Sequence, residues 1–105
     1  MSSLSPTQRT LKALRDDGWT VTVVEHWNPH AHIRQDMWGF VDLVALKHGR
    51  TLAVQACAGA SSAARVEKIT NAELVGAVRE ANWEIQVWAW RKLKSGWAPK
   101  ITDLS

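Results

Sequence analysis

Residues 36–57 read DMWGFVDLVALKHGRTLAVQAC, and the fold turns on how this stretch is read. The segments 40–47 and 50–57 are rich in Val, Leu and Phe, the composition of strands. His48-Gly49 between them is a two-residue connection containing glycine, which reaches φ > 0 without steric cost. A hairpin closed there fixes its register by counting: Lys47 faces Arg50, Leu46 faces Thr51, and every opposed pair sums to 97. Asp42 then faces Gln55, with Cβ atoms about 5 Å apart and both side chains on one face. Cys57 lies two residues further along that face. An Asp flanked by Phe40, Val41, Leu43 and Val44 is costly to bury unless a partner satisfies it. That partner is the functional question.

The other residues bound the answer. The chain has 105 residues, 46% hydrophobic and 22% charged, which predicts one globular domain over 1–105 with a single core. No apolar run reaches the ~20 residues a membrane helix needs, so no membrane partner is expected. The N-terminus MSSLSPTQRT has no basic-then-apolar leader, and the only cysteine is Cys57. Both point to a cytoplasmic protein without an intrachain disulfide. The net charge of +3 is compatible with a nucleic-acid partner but too small to establish one.

Outward from the hairpin, Ser5-Pro6-Thr7-Gln8 has the form of a helix start, with a capping Ser, Pro at the first position and Gln three residues on. It predicts a helix over 6–17, stopped by Gly18. Residues 19–25 (WTVTVVE) alternate and are β-branched, which predicts a strand. Residues 26–35 (HWNPHAHIRQ) have no period and read as a loop. After the hairpin, helix is expected over 63–69 and again over 72–81. A strand follows over 83–91, with Ile85, Val87 and Ala89 on one face and Glu84, Gln86, Trp88 and Trp90 on the other. A last strand covers 97–102, Pro99 suiting an edge. The order α-β-β-β-α-β-β predicts an α/β fold: a mixed β-sheet with flanking helices, the strand after the helices parallel to the hairpin's second strand.

A leading helix, a hairpin with Asp in its first strand and a polar-x-polar triplet in its second, then helix and strand, resembles the PD-(D/E)xK nuclease superfamily, and within it the Holliday-junction-resolvase-like branch. Val41-Asp42 matches the "PD" pair with Val for Pro. Gln55-Ala56-Cys57 falls on "(D/E)xK", with Gln for the acid and Cys for the Lys. The resemblance implies a restriction-endonuclease-like core and hydrolysis of DNA phosphodiesters, on branched or duplex DNA, by a homodimer using Mg²⁺ or Mn²⁺. It assigns metal binding to Asp42 and Gln55, with Asp36 as the compensating carboxylate and Glu25 as a further one. Lys68 on the following helix takes the part of the missing Lys, so Asp42, Gln55 and Lys68 form the catalytic set. Arg34, Arg65 and Trp38 are expected against DNA. Gln8 stands where the family often has an acid on the first helix.

Plainer readings apply to the same residues. Asp42 and Gln55 can satisfy one another without a metal. Cys57 can be a small core residue, Asp36 a loop residue paired with Arg34, and Arg65 and Lys68 a solvated helix face. His26, His30 and His32 form H-x3-H-x-H, a set of imidazoles that suits zinc but matches no zinc template. The same domain without catalysis, retained to bind DNA or a protein, is the alternative function.

Overall fold

The computed structural model describes residues 4–105. Helix α1 (Pro6–Asp16) starts as its sequence dictates: the Ser5 hydroxyl accepts the Gln8 N–H at 3.1 Å. It ends with Gly18 at φ +91°, the Gly18 N–H on the Arg15 carbonyl and the Trp19 N–H on the Leu14 carbonyl, both 3.0 Å. This paired closure is the one a left-handed glycine after a helix permits. Strand β1 (Thr20–Val23) follows at once, so α1 folds back onto the sheet.

Residues 26–35 are not a loop. They form a small separate hairpin, β2 (His26–Asn28) and β3 (Ile33–Gln35). Strand propensity could not announce it, because pairing is set at the turn: the Asn28 side chain accepts the N–H groups of His30 and Ala31 at 2.9 and 3.1 Å. The central hairpin is β4 (Leu43–Lys47) and β5 (Arg50–Ala58). Its turn has His48 at φ +48° and Gly49 at φ +78°, and its pairs run from Lys47↔Arg50 to Leu43↔Val54, the predicted register. The first strand starts later than expected, because Phe40 and Val41 belong to a tight loop closed by a Met37↔Val41 bridge.

A single 3₁₀ turn (Gly59–Ser61) leads into α2 (Ser62–Thr70) and α3 (Val75–Glu80). Then come β6 (Glu84–Leu93) and β7 (Gly96–Asp103). The main sheet runs β1-β4-β5-β6-β7, antiparallel except for the parallel pair β5–β6 that the intervening helices allow. The protein is therefore mixed α/β, with the order α-β-β-β-β-β-α-α-β-β.

Strand alternation sends side chains to two cores. Leu43, Ala45, Leu52, Val54 and Ala56 pack with Leu14, Trp19 and Val21 on the α1 side. Ala53, Cys57, Ile85, Val87 and Ala89 pack with Phe40, Ile69, Val75 and Val78 on the α2–α3 side. Of Trp88 and Trp90, which share a face with Glu84 and Gln86, Trp90 is buried and Trp88 is half-buried against the α1-side core. The Trp90 indole donates to the fully buried Thr10 hydroxyl at 2.8 Å, and the Trp88 indole donates to Gln86. Trp97 is 44% exposed and carries the Arg9 guanidinium on its ring at 4.1 Å.

Candidate metal centre

Asp42 sits where β4 leaves the sheet. The backbone ladder stops at Leu43↔Val54. A continued ladder would give the Ala56 N–H to residue 41. Instead the Val41 carbonyl accepts the Met37 N–H, and the Ala56 N–H turns to Asp42 Oδ2 at 2.9 Å. The Gln55 side-chain amide donates to the same oxygen. The pair obtained by counting across His48-Gly49 is thus in direct contact, buried to 2% and 3% exposure.

Two further turns bring acids to Asp42. Met37 and Val41 exchange both backbone hydrogen bonds at 2.9 Å, with Trp38 at φ +56° and Gly39 at φ +81° inside the loop. The next residues out across that bridge are Asp36 and Asp42, opposed in the manner of a strand pair. In the β2–β3 hairpin the last pair is His26↔Gln35; one step further, Glu25 opposes Asp36. Glu25 is also held to Asp42 directly, since the Val24 and Glu25 N–H groups both donate to the Asp42 carbonyl, at 2.8 and 3.3 Å. This two-against-one arrangement turns Glu25 toward the site, as bulges do. One carboxylate oxygen from each of Glu25, Asp36 and Asp42 lies within 4.8 Å of the others.

The second contacts are cations and hydroxyls. Lys68 on α2 donates to Asp36 Oδ2 at 2.9 Å. Arg34 lies 3.7 Å from Glu25 Oε1, which also accepts the Thr7 hydroxyl at 3.3 Å. Asp36 therefore pairs with Lys68 and not with Arg34. Thr7, which nothing in the residue pattern singled out, takes the helix α1 position nearest the site, while Gln8 is exposed along a groove beside it. Arg65 is half-buried, close enough to Cys57 to favour its thiolate. Trp38 is 42% exposed and leans on Trp83, ring centroids 5.3 Å apart. An open groove of about 530 Å³ runs past Asp36, Lys68, Arg34 and Trp38.

Cys57 is no substitute for a lysine. It is 4% exposed within an apolar cluster, and burial pushes its thiol up. The three histidines do not converge: His26, His30 and His32 are exposed along the β2–β3 hairpin. The one group of three potential ligands among the described residues is the acidic one.

Asp36 and Asp42 are close enough that charge on one disfavours charge on the other. Asp42 is pushed up to about 8, first by burial, then by its hydrogen bond with Asp36 and the negative charges of Asp36 and Glu25, against the pull of the Ala56 N–H. Burial acts on Asp36 in the same sense. The hydrogen bonds from Asp42 and Lys68 and the Lys68 charge outweigh it, and Asp36 ends below the ordinary carboxylate value. With Asp42 raised and Asp36 lowered, the pair holds one proton between them at neutral pH.

Set against known protein families and the curated proteins, the chain matches none. Asp42 Oδ1 and Gln55 Oε1 are buried oxygens to which no protein group donates. Unsatisfied acceptors of this kind are rare in folded proteins and ask for a proton or a cation. The acidic oxygens lie within 4.8 Å, against about 4.2 Å between opposite ligands of an ion with ~2.1 Å bonds. All four side chains offer hard oxygen, the donor type that suits Mg²⁺ or Mn²⁺. The three carboxylates could hold such an ion once drawn in by a few tenths of an ångström.

Proposed function

We propose that this chain is a divalent-metal-dependent DNA endonuclease with a restriction-endonuclease-like core, acting as a homodimer on branched or duplex DNA. The supporting observation is the cluster of three carboxylates, Glu25, Asp36 and Asp42, in which the buried Asp42 Oδ1 accepts from no protein group. Glu25, Asp36, Asp42 and the Gln55 carboxamide would hold Mg²⁺ or Mn²⁺. Such an ion, when bound, supplies Lewis-acid polarisation of a phosphoryl oxygen and a more acidic water.

The protein groups have separable tasks. Asp42 is fixed by the Ala56 N–H and Gln55, so its second oxygen keeps a set direction. Lys68 orients Asp36 and sets a positive charge on the groove, where negative charge grows on a phosphate under attack. Arg34, with its guanidinium largely exposed, and Arg65 add charge for the DNA backbone.

A second reading has its own support. Gln55 removes one negative charge from the site, and the position matching the motif lysine is the buried Cys57. Both changes favour a nuclease-type module that binds DNA or a protein without cutting. Incubation of the purified chain with branched and duplex DNA and Mg²⁺ or Mn²⁺ separates the readings. Cleavage that is lost in Asp42→Ala supports the nuclease. Salt-sensitive binding without cleavage by any divalent ion supports the module. Neither cleavage nor binding refutes the nuclease and the DNA-binding module alike, and leaves only the protein-binding form.

A further inference from the structure

The β2–β3 hairpin stands off the body of the protein. Its strands pair only with each other, and apart from half-buried Asn28 all their residues are exposed. Its residues 26–35 include three His and one Arg and no acid. The register sorts its side chains. Trp27 faces Arg34, so the two share a face. The Trp27 and His32 rings meet edge to face at 6.3 Å, which sets His32, in the turn at φ +54°, beside that face. Strand alternation puts Glu25, two residues before Trp27, and Asp36, two residues after Arg34, on that face as well. One face of the hairpin thus runs from the acidic site at its base to Arg34 and Trp27 about 7 Å further out, then to His32. Arg34 borders both open grooves that reach the acids, one past Asp36 and Lys68 and one past Glu25 and Thr7.

Trp27 is the indole suited to a ligand here. Trp19 and Trp90 are buried, Trp88 is packed under α1, and Trp38 and Trp83 lean on each other. Trp97, also exposed, is on β7 beneath Arg9. Trp27 is 54% exposed, directly across the hairpin from Arg34, one step from the acids. An aromatic face beside a cation, without acidic side chains between, suits an unpaired nucleotide, whose base stacks and whose phosphate takes the charge.

We propose that the Trp27–Arg34 face of this hairpin is the platform for the unpaired DNA nucleotide next to the phosphate that enters the acidic site. Trp27 stacks its base and Arg34 contacts its backbone. The inference rests on the nuclease reading and adds to it where the strand lies and that the DNA is single-stranded or opened there.

The test is fluorescence anisotropy of a fluorescein-labelled single-stranded oligonucleotide and of a branched one, with Ca²⁺ in place of Mg²⁺ and over a salt series. Trp27→Ala is expected to weaken binding about five- to a hundredfold, and Trp27→Phe to restore most of it. Arg34→Ala is expected to lower the salt slope by about one phosphate contact. Trp97→Ala serves as the exposed-indole control and is expected to bind as wild type does. Thermal melts of Trp27→Ala should match wild type, because the side chain supports no core. Wild-type binding that Trp27→Ala leaves unchanged overturns the platform while the nuclease reading stands. A wild type that binds neither oligonucleotide overturns the nuclease reading, and the platform with it.

Discussion

Replacing Asp42 by Asn converts the costliest group of the protein into a copy of its neutral form. The Asn carbonyl can still accept the Ala56 N–H and the Gln55 amide, and its NH₂ can donate toward Asp36, as the carboxyl proton does. The folded value of about 8 lies above the ordinary 3.8, so the folded chain holds the extra proton between those limits. Stability from this group is therefore complete below about pH 4 and declines as pH rises toward 8, the reverse of an ion-paired carboxylate. Holding a proton across that interval corresponds to roughly 6 kcal/mol. That is comparable with the whole net stability of a small domain, so structural relaxation limits what is seen, and a difference of about 2 kcal/mol or more is expected. Urea unfolding in EDTA, at steps from pH 4 to 8, measures it. Wild type should lose stability relative to Asp42→Asn across that window, the variant being the more stable at pH 8. Parallel curves for the two proteins would refute the claim that Asp42 carries a buried, contested proton.

Other changes follow from the same contacts. Gln55→Glu adds a fourth carboxylate; metal-free protein should melt earlier, and Mn²⁺ should bind at least about tenfold tighter, by calorimetry, through the added hard oxygen. Lys68→Ala leaves Asp36 without its cation and the groove without its charge, so DNA cleavage should fall about a hundredfold. Lys68→Arg should recover part of that rate, and equal rates for all three proteins would exclude Lys68 from the reaction. Thr10→Val strands the buried Trp90 indole N–H that now donates at 2.8 Å. A loss of about 1–3 kcal/mol in urea unfolding is expected, with no change in metal binding.

Much of the sheet was legible because its signals are local. Alternation marked β1 and β6, and His48-Gly49 fixed a register that put Asp42 against Gln55. The convergence of acids was not legible in full. It depends on two turns that carry weak signals: Trp38-Gly39, where a non-glycine residue adopts φ +56°, and the Asn28-capped turn within a polar segment read as loop. Once those turns are known, the same counting gives Asp36 opposite Asp42 and Glu25 opposite Asp36. The indoles were ambiguous for a different reason. Whether Trp88 and Trp90 are interior or surface depends on α1 lying over that sheet face, and on Thr10 to receive an N–H. Period-2 patterning does not carry that information.

The central claim is that Glu25, Asp36, Asp42 and Gln55 form a divalent-ion site whose resting state holds a proton. Calorimetric titration of the metal-free chain with Mn²⁺, in buffers of different ionisation enthalpy, measures ion and proton together. The account predicts one ion per chain, release of about one proton at pH 7 and far less at pH 9 as Asp42 passes its value of about 8, with no binding by Asp42→Ala. Absence of Mn²⁺ binding, or binding that Asp42→Ala leaves intact, would contradict it.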